Sequence, residues 1–436
     1  MSEDYRLSFR RAEEDECVKN RPLFLDLFAG AGGLSEGFIQ AGFLPVAHVE
    51  SSQAACFTLK TRASYHWLKS QSNQDLYYGY LRGEITRSNF YSEIPNEIIE
   101  SVICEEIGEK SLKSIFSSID SRLKGRKLDL IVGGPPCQAY SLVGRSRDKN
   151  RMLGDQRNYL YKFYSLFLAK YKPKLFVFEN VTGLLSAKDK NGNLYLDDMI
   201  ALFRNAGYIT EYKILSAEMY GVPQARKRVI LIGRRGSRTN FYPELKKENV
   251  FETVNEVFSC LPAIIAGEGD FRVCGESLAK SAWMRKTGMG DDRTPITLHK
   301  ARPHTKRDLE IYKIAVSLWN TEKTRLRYDK LPDELKTHNN RTSFLDRYKV
   351  VAGDLSHSHT IVAHIAKDGH YYIHPDIEQN RSLTPREAAR LQTFPDNYYF
   401  ESASDAPSQT APFIQIGNAV PVALSRKIAE GLRSLL

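Results

Sequence analysis

The sequence lacks the features that mark several classes of protein. No apolar run approaches the roughly 20 residues that a membrane-spanning helix needs, and the opening residues, MSEDYRLSFRRAEEDE, hold no apolar stretch of the kind found in a secretory signal. The six cysteines are scattered and no two form a Cys-x-x-Cys pair. We therefore expect no zinc or other metal site and no disulfide framework, and the pattern favours a reducing cytoplasm.

Positively charged residues are in modest excess. The 436 residues carry a formal net charge of +10, and 42% of them are hydrophobic. Such a length suffices for two or three domains with a large buried core. The positive charge favours a polyanionic partner, although a generic basic surface is an equally good interpretation of charge alone.

Short apolar segments alternate with helical ones along the first half of the chain. Strands are predicted at 22–28, 44–50, 128–134, 174–180, 209–215 and 227–233. Alternation of strands and helices over some 200 residues predicts a mostly parallel sheet covered by helices on both faces.

Two stretches interrupt this alternation. The first, 65–126, includes apolar residues at helical spacing from Leu112 to Leu123, which predicts an amphipathic helix. The second, 236–380, is rich in turns and holds eight of the ten histidines, and its centre, 281–350, has 16 Lys and Arg against 9 Asp and Glu. We interpret 236–380 as a separate domain, with a β-hairpin at 359–375 that turns at Asp368-Gly369.

The remaining segments complete this division. Residues 1–20 are charged and irregular and are predicted to form a flexible arm, and 21–235 would form the main domain. Residues 381–436 would return to the main domain. There the pattern Thr384-Pro385-Arg386-Glu387 is typical of a capped helix start, with the helix running to about Gln392, and a last helix is predicted to reach the C-terminus.

A glycine-rich turn follows the first predicted strand. In FLDLFAGAGG, Gly30, Gly32 and Gly33 stand between a strand and a helix, where backbone N–H groups can approach a ligand closely. Glu50 ends the next strand, and a carboxylate at that point can accept hydrogen bonds from ribose hydroxyls. The pattern indicates a nucleotide-like ligand, but a tight turn without any ligand is an equally simple interpretation.

Three further strand ends carry reactive side chains. Cys137 follows a strand and the rigid pair Pro135-Pro136, which favours an exposed thiol over a buried structural cysteine. Glu179 ends the strand at 174–180 in the segment FENV. Arg226 and Arg228 in QARKR can point to the same side of an extended segment, although a solvated basic stretch would look the same.

Taken in order, these segments resemble the motifs of the DNA cytosine-5 methyltransferase family. The resemblance rests on FLDLFAGAGG, PPCQ, ENV, QARKR, LTPREAARLQTFP (383–395) and QIGNAVP (415–421), and it covers about residues 22–435 apart from the two interrupting stretches. It implies a doubly wound, mostly parallel seven-stranded sheet of the S-adenosylmethionine-dependent methyltransferase type, together with a smaller target-recognition domain at 236–380.

The resemblance also implies the role of each site residue. Cys137 would attack carbon 6 of cytosine, Glu179 would bond to ring nitrogen 3 and the exocyclic amine, and Arg228 would contact the base oxygen with support from Arg226. S-adenosylmethionine would be held by Phe28, Gly30, Gly32, Gly33, Glu50, Pro135 and Asn418. The segment 138–157 is polar and rich in cations, and we interpret it as a mobile loop that closes over a flipped-out base in duplex DNA and contacts phosphates through Ser141, Arg145, Arg147 and Arg151, with an exposed loop without a role as the alternative.

Some positions depart from the family pattern or leave a choice open. Ser51 stands where the family often has an aromatic residue against the adenine, and either Glu105 or Glu106 could contact the adenine amine. A transfer-RNA methyltransferase is the main alternative, since Cys-Phe-Thr occurs at 56–58, but that signature belongs inside the variable domain. A DNA-binding module without catalysis is the second alternative.

The wider setting is predicted from the same resemblance. We expect a prokaryotic enzyme of a restriction–modification or phage-defence system, cytoplasmic and associated with the nucleoid, and monomeric on double-stranded DNA. A cognate restriction nuclease or other defence protein is a possible partner.

Overall fold

A computed structural model describes residues 21–136, 159–248, 253–274, 284, 287–290 and 294–436. The predicted arm at 1–20 lies outside the described residues. The same holds for five predicted site residues, namely Cys137, Ser141, Arg145, Arg147 and Arg151.

The described chain is built on a seven-stranded sheet. The strands are β1 (Leu23–Leu27), β2 (Leu44–Glu50), β3 (Val102–Cys104), β4 (Leu130–Gly133), β5 (Leu175–Asn180), β6 (Tyr208–Ser216) and β7 (Lys227–Arg235). Their order across the sheet is β3-β2-β1-β4-β5-β7-β6, and only β7 runs antiparallel to its neighbours. This confirms the predicted mostly parallel sheet and six of its strands, while the short strand β3 was not foreseen from the sequence.

Helices cover both faces of the sheet. They are α1 (Gly33–Gln40), α2 (Gln53–Ser70), α3 (Asp75–Arg82), α4 (Arg87–Ser92), α5 (Asn96–Ile99), α6 (Leu112–Leu123), α7 (Leu160–Tyr171), α8 (Tyr195–Asn205), α9 (Val254–Phe258), α10 (Lys306–Glu322), α11 (Pro385–Leu391), α12 (Thr410–Asn418) and α13 (Val422–Leu432). None of the helices among the described residues is long and apolar enough to cross a bilayer.

Alternate residues of the central strands belong to different cores. On β5, Phe176 and Phe178 pack in one hydrophobic cluster, whereas Leu175 and Val177 pack in another. Successive side chains of a strand point to opposite faces, so the uninterrupted apolar run 175–178 is what a sheet covered on both sides requires.

The predicted amphipathic helix in the first interrupting stretch is present as α6. Its residues Ile115, Ile119 and Leu123 are buried, as their helical spacing predicts. The rest of the stretch holds the end of α2, helices α3 to α5 and the strand β3. Tyr77, Tyr80 and Phe90 pack together there, with the rings of Tyr80 and Phe90 stacked at 4.6 Å.

The second stretch, 236–380, has little regular structure among its described residues. It contains α9, α10, several 3-10 turns, and a two-stranded antiparallel pair, β8 (Gly269–Asp270) with β9 (His299–Lys300). Two apolar clusters lie within it, one around Ile311 and Tyr312 and a smaller one around Ile264 and Ile296.

The predicted hairpin at 359–375 is wrong. The segment forms a 3-10 turn at Ala363–Ala366 instead of a strand. The Tyr372 hydroxyl accepts a hydrogen bond from the Val362 N–H and donates one to the Thr360 carbonyl. This side chain therefore takes up backbone groups that would otherwise form hydrogen bonds between the two strands of a hairpin. Alternating residues alone could not reveal these competing bonds.

The C-terminal segment begins with the predicted capped helix. Thr384 and Glu387 form a complete capping box at the start of α11, which ends at Leu391, one residue before the predicted end. The last helix is α13, followed by a 3-10 turn at Arg433–Leu435. The sequence analysis missed α12, which carries most of the QIGNAVP motif.

Residues 236–380 share a hydrophobic core with the rest of the chain. One cluster joins Tyr77 from the first interrupting stretch, Val254 and Ile361 from the second, and Phe394 and Phe413 from the C-terminal segment. The boundaries at 236 and 380 therefore mark a change in the amount of regular secondary structure. Apolar side chains from both sides of each boundary pack in the same cluster.

Candidate active site

The glycine turn after β1 has the backbone conformation that its sequence predicts. Gly30 and Gly32 have φ angles of 54° and 78°, in the left-handed region that favours glycine. Phe28, with φ of 56°, adopts the same region without being glycine. Such a conformation costs free energy in a bulky residue, and functional turns are where it is usually retained.

The Glu50 carboxylate is fixed against this turn. Its Oε2 accepts a hydrogen bond from the Gly30 N–H at 2.8 Å, and its Oε1 accepts one from the Ser52 N–H at 2.8 Å. The end of β2 and the turn after β1 are thereby held together, and the acid stands at the C-terminal edge of the sheet, where open α/β proteins bind ligands.

A buried ion pair supports the helix that follows the turn. Glu36, in the first turn of α1, receives two hydrogen bonds from the Arg62 guanidinium, at 2.6 and 2.9 Å, and one contact from His66 at 2.9 Å. Burial raises the pKa of the Glu36 carboxyl, but the charges of Arg62 and His66 outweigh that effect and hold the pKa well below its usual range.

The same guanidinium reaches the C-terminal segment. It lies 4.8 Å from the ring centre of Tyr398 and donates to the Asn397 side chain at 3.0 Å. The Tyr398 hydroxyl in turn donates to the carbonyl of Ala31 within the glycine turn. The turn is thus held from behind by a network that links α1, α2 and residues 397–398.

Close approach explains two of the glycines. A side chain on Gly33 would collide with the Val420 carbonyl, and one on Gly417 would collide with the backbone of Val362 and Ala363. These contacts bring the C-terminal motif against the glycine turn. Asn418 ends α12 beside the turn with an exposed side chain.

Glu179 and Arg228 form an ion pair at the same edge of the sheet. The Arg228 Nε lies 2.7 Å from the Glu179 Oε1, and the side chains are 13% and 16% exposed. Glu179 pairs with Ile230 in the ladder between β5 and β7, so the two strands place the side chains together. Both groups remain accessible from the cavity described below.

The Gly-Gly-Pro-Pro segment lies directly against Glu179. A side chain on Gly134 would collide with the Glu179 carbonyl, and the Asn180 amide donates to the Pro135 carbonyl at 3.4 Å. The described chain therefore reaches Pro136 beside Glu179. Cys137 is the next residue in the sequence and lies outside the described residues.

Arg226 does not share the site with Arg228. Its side chain is fully buried, and it donates to the Ile361 carbonyl at 2.7 Å and the Gly417 carbonyl at 3.2 Å. Gln224 is also buried and bonds to the backbone of Leu391 and Ile361. The expectation that the two arginines point together fails because Arg226 is engaged by backbone acceptors that come from distant parts of the chain.

One cavity of about 380 Å³ joins the glycine turn to the Glu179–Arg228 pair. Of the predicted cofactor residues, it is lined by Phe28, Gly30, Gly33, Glu50, Pro135 and Asn418. Gly32 does not line it; a side chain there would contact Leu59 and Tyr398, so this glycine serves the packing of the turn. Pro136, Glu179 and Arg228 line the other end.

Asp26 is a site residue that the sequence analysis missed. It is 1% exposed and lines the cavity, Ser35 donates a hydrogen bond to its Oδ2, and its Oδ1 has no partner among the described residues. Burial raises its pKa to about 7, with a further contribution from Glu50. The feature of the sequence that could have indicated this residue is the single acidic side chain inside the apolar strand LFLDL.

The structure leaves the choice between Glu105 and Glu106 open. Both line the cavity, and Glu105 accepts a hydrogen bond from Ser114 at 2.6 Å. Ser51 also lines it, in place of an aromatic ring. The Cys-Phe-Thr triplet is part of α2, where Cys56 is buried and donates to the Glu50 carbonyl, far in sequence from the variable region.

The fold is that of S-adenosylmethionine-dependent methyltransferases. The structure aligns with one described as a DNA modification methyltransferase encoded within an Escherichia coli prophage, with a TM-score of 0.58, 21% identity, and coverage of 95% of this chain and 99% of that one. It also aligns with the Dnmt2 methyltransferase of Schizosaccharomyces pombe, with a TM-score of 0.50, 16% identity, and coverage of 95% and 99%.

The sequence defines the class more narrowly. The family model for C-5 cytosine-specific DNA methylases matches residues 23–77 and 86–434. The Type II methyltransferase M.Bpa9945I of Bacillus paralicheniformis is 40% identical, over 95% of this chain and 99% of its own. M.XorII of Xanthomonas oryzae pv. oryzae is 31% identical, over 95% and 85%. The chain belongs to the C-5 cytosine-specific DNA methylase family and is a DNA cytosine-5 methyltransferase.

Proposed function

We propose that this enzyme methylates a flipped-out cytosine in duplex DNA through a covalent adduct with Cys137, using S-adenosylmethionine. The observation that carries the proposal is the single cavity whose two ends hold the glycine turn with Glu50 and the Glu179–Arg228 pair. A methyl donor and a base would meet between them, beside Pro136.

The residues at the glycine-turn end fit S-adenosylmethionine. The Asp26 Oδ1, buried and without a partner among the described residues, suits the cationic amino group of the methionine part. The Glu50 carboxylate suits the ribose hydroxyls, and Glu105 or Glu106 suits the adenine amine. When bound, this cofactor supplies an electrophilic methyl group on a sulfonium.

Cys137 makes the reaction possible because carbon 5 of cytosine is a weak nucleophile. Its thiolate adds to carbon 6, and the electron pair of the 5,6 double bond becomes available at carbon 5 to take the methyl group. A base then removes the proton from carbon 5, the sulfur–carbon 6 bond breaks with its electrons returning to sulfur, and the double bond is restored.

Glu179 and Arg228 would stabilise the base during the attack. Addition at carbon 6 moves negative charge toward ring nitrogen 3, and we propose that the Glu179 carboxyl group bonds to that nitrogen and to the exocyclic amine. Arg228 would exchange part of its contact with Glu179 for the base oxygen. We propose Arg226 as a residue that positions this strand from behind, because its guanidinium bonds to carbonyls of Ile361 and Gly417.

The target base of a duplex is stacked, so it must leave the helix to reach this cavity. The segment 138–157, with Ser141, Arg145, Arg147 and Arg151, remains our proposal for the part that closes over DNA and contacts phosphates. Residues 236–380 remain our proposal for sequence recognition.

Two relatives named as Type II methyltransferases support a role in restriction–modification. We propose that this enzyme protects DNA against a nuclease that cuts the same sequence. Monomeric action on DNA and association with the nucleoid stay predictions.

The covalent step gives the decisive test. Cys137→Ala should abolish methyl transfer to duplex DNA and keep DNA binding, because the thiol supplies the adduct and not the affinity. Duplex DNA with 5-fluorocytosine at the target should trap the wild-type enzyme covalently, since fluorine cannot leave as the proton does. The readouts are transfer of a labelled methyl group and a denaturing gel.

Cys260→Ala is the matched control, since it removes a thiol outside the cavity and should retain activity. Turnover by Cys137→Ala at the wild-type rate, or a trapped complex formed by that variant, would refute the mechanism.

A further inference from the structure

An exposed phenylalanine stands on a tightly bonded loop in the 236–380 region. Phe344 is 71% exposed, the highest value among the large apolar side chains of the described residues. Its φ of 56° lies in the left-handed region, which is costly for a bulky residue. Neither burial nor backbone preference accounts for a phenylalanine at this position.

The loop that carries Phe344, residues 340–347, is ordered by its own side chains. The Asn340 Oδ1 accepts from the N–H groups of Thr342 and Ser343, at 3.2 and 3.0 Å. The Arg347 guanidinium donates to the carbonyls of Asn340, Ser343 and Phe344 at 3.0 to 3.1 Å. The same group lies 4.0 Å over the Tyr328 ring. The loop thus holds Phe344 outward in one arrangement, which limits the entropy lost on binding.

A chain of contacts connects this loop to the active-site strand. Residues 358–361 lie along residues 223–226, with hydrogen bonds from the Ala225 N–H to the Ser358 carbonyl at 2.8 Å and from the Ser358 N–H to the Pro223 carbonyl at 3.0 Å. That segment is two residues before Arg228, which lines the cavity.

The connection continues from 358–361 to the loop. His359 contacts the Tyr371 carbonyl at 2.6 Å, and the Tyr371 hydroxyl donates to Asp346 at 3.2 Å. The Lys349 N–H donates to the His370 carbonyl at 2.8 Å. Direct hydrogen bonds therefore connect the loop, through Tyr371 and His359, to the segment that precedes Arg228.

The surroundings of the loop are cationic. Residues 323–350 hold eight Lys and Arg against four Asp and Glu. Burial, with further contributions from nearby Lys349 and Arg325, lowers the pKa of His359 to about 3, so this histidine stays neutral and adds no charge of its own. An exposed apolar ring in a segment with an excess of cations suits duplex DNA, whose phosphates attract the cations and whose bases offer apolar contacts.

We propose that the loop 340–347 is a DNA-reading element in which Phe344 contacts bases of the recognised sequence while the exposed side chains of Arg325 and Arg341 contact phosphates. The proposal rests on the proposed function, since it assigns the reading of bases to one loop of the recognition region. Base contacts specify the sequence and phosphate contacts position the protein.

The test compares sequence preference between variants. Full-length wild type, Phe344→Ala and Phe344→Leu would methylate a duplex library randomised around a cytosine, with methylated positions found by bisulfite sequencing. We expect Phe344→Ala to lose about tenfold or more of the discrimination at one or two base pairs, the effect of one lost base contact. Phe344→Leu should retain part of it, because the apolar contact is kept.

Two further variants distinguish the recognition of bases from binding to DNA of any sequence. Ile214→Ala removes an exposed apolar side chain on β6 and should leave the preference and the rate unchanged. Arg341→Gln should weaken binding to all duplexes about equally and flatten the salt dependence, with no change in preference.

The outcomes distinguish the inference from the function it rests on. If wild type methylates no duplex, the proposed function fails. If wild type methylates with a clear preference and Phe344→Ala keeps that preference, the inference alone is overturned, whether or not the overall rate has fallen. A broadened preference in Phe344→Ala, with an unchanged one in Ile214→Ala, supports it.

Discussion

The buried arginines of this protein differ from Arg228 in what they contact. Arg226, Arg381, Arg386 and Arg390 are at most 1% exposed, and each donates to backbone carbonyls, whereas Arg228 stays part-exposed beside Glu179. A guanidinium has five donors, so a buried one is stable only where several acceptors converge. Two arginines two positions apart in QARKR therefore have different roles.

Asp26 gives a prediction about cofactor affinity and pH. Its pKa is raised from the ordinary 3.8 to about 7, so it is largely protonated below that pH in the free enzyme. Binding a cationic amino group needs the ionised form. We expect the Kd for S-adenosylmethionine, measured by calorimetry, to rise about tenfold per pH unit below 7 and to level off above it. Asp26→Asn should bind more weakly and lose this pH dependence.

The stability of the unliganded enzyme provides the control, because it should fall with rising pH whereas the affinity for the cofactor should rise. Between about pH 4 and 7 the native state keeps a proton that the unfolded chain has lost, so stability falls as pH rises and levels off above about 7. Asp26→Asn should remove that decline, and the exposed Asp197→Asn should retain it. A cofactor affinity that stays flat with pH in the wild type would refute the role of Asp26.

At the scale of elements, the C-terminal helix α12 joins the two ends of the active site. Asn418 at its end lines the cavity, Gln415 bonds to Thr58 at 2.7 Å, and Gly417 allows the backbone of 362–363 to pack directly against the helix. The segment 358–361 beside it lies along residues 223–226, which directly precede the strand of Arg228. Helix α12 thus contacts both the glycine-turn end of the cavity and the segment that packs beside residues 223–226.

Gly417→Ala tests this arrangement. The added methyl group would collide with the backbone of Val362 and Ala363, which cannot move aside as a side chain could. We expect a loss of unfolding free energy of at least about 1–3 kcal/mol, the usual cost of overpacking, and a fall in methylation rate larger than the loss of folded protein. Urea unfolding and single-turnover methylation are the measurements.

Gly108→Ala is the control for Gly417→Ala, because a methyl group there meets nothing within 4 Å. It should change stability by less than about 0.5 kcal/mol. Equal effects of the two substitutions would show that the contact with 362–363 is unimportant.

At the scale of the whole molecule, one of the hydrophobic cores of the described chain spans regions with different amounts of regular structure. That core takes residues from 65–99, from 236–380 and from 381–422, and Arg381, Arg386 and Arg390 bond to carbonyls of Ile264, Thr297 and Val257. Backbone acceptors do not depend on side-chain identity. Substitutions within residues 236–380 can therefore leave these hydrogen bonds to the three arginines intact.

This shared core predicts that the described parts unfold together. Trp67 lies on α2 and Trp319 on α10, so single-tryptophan variants report on the two regions separately. We expect both fluorescence signals and the far-UV circular dichroism to change at one denaturant midpoint. Two midpoints separated beyond error would show that 236–380 is an independent folding unit, as the sequence alone suggested.

The sequence by itself determined the central sheet and the ends of its strands. Uninterrupted apolar runs such as LFVF can be buried on both faces only inside a layered α/β fold, and parallel strands bring their carboxyl ends to one edge. That reasoning placed Glu50 and Glu179 at this edge, whereas Arg228, at the start of β7, reaches the same edge because β7 runs antiparallel to β5. The capping box at Thr384 was equally readable, because it depends on residues three positions apart.

Tertiary structure alone decided which side chains enter the site. Arg226 and Arg228 share one motif, and only acceptors from residues 361 and 417 separate their roles. The raised pKa of Asp26 results from burial. The segment 359–375 does not form the predicted hairpin, because the Tyr372 hydroxyl bonds to backbone groups within it. Local sequence patterns record contacts between near neighbours, whereas these outcomes depend on groups far apart in the chain, which only the folded protein brings together.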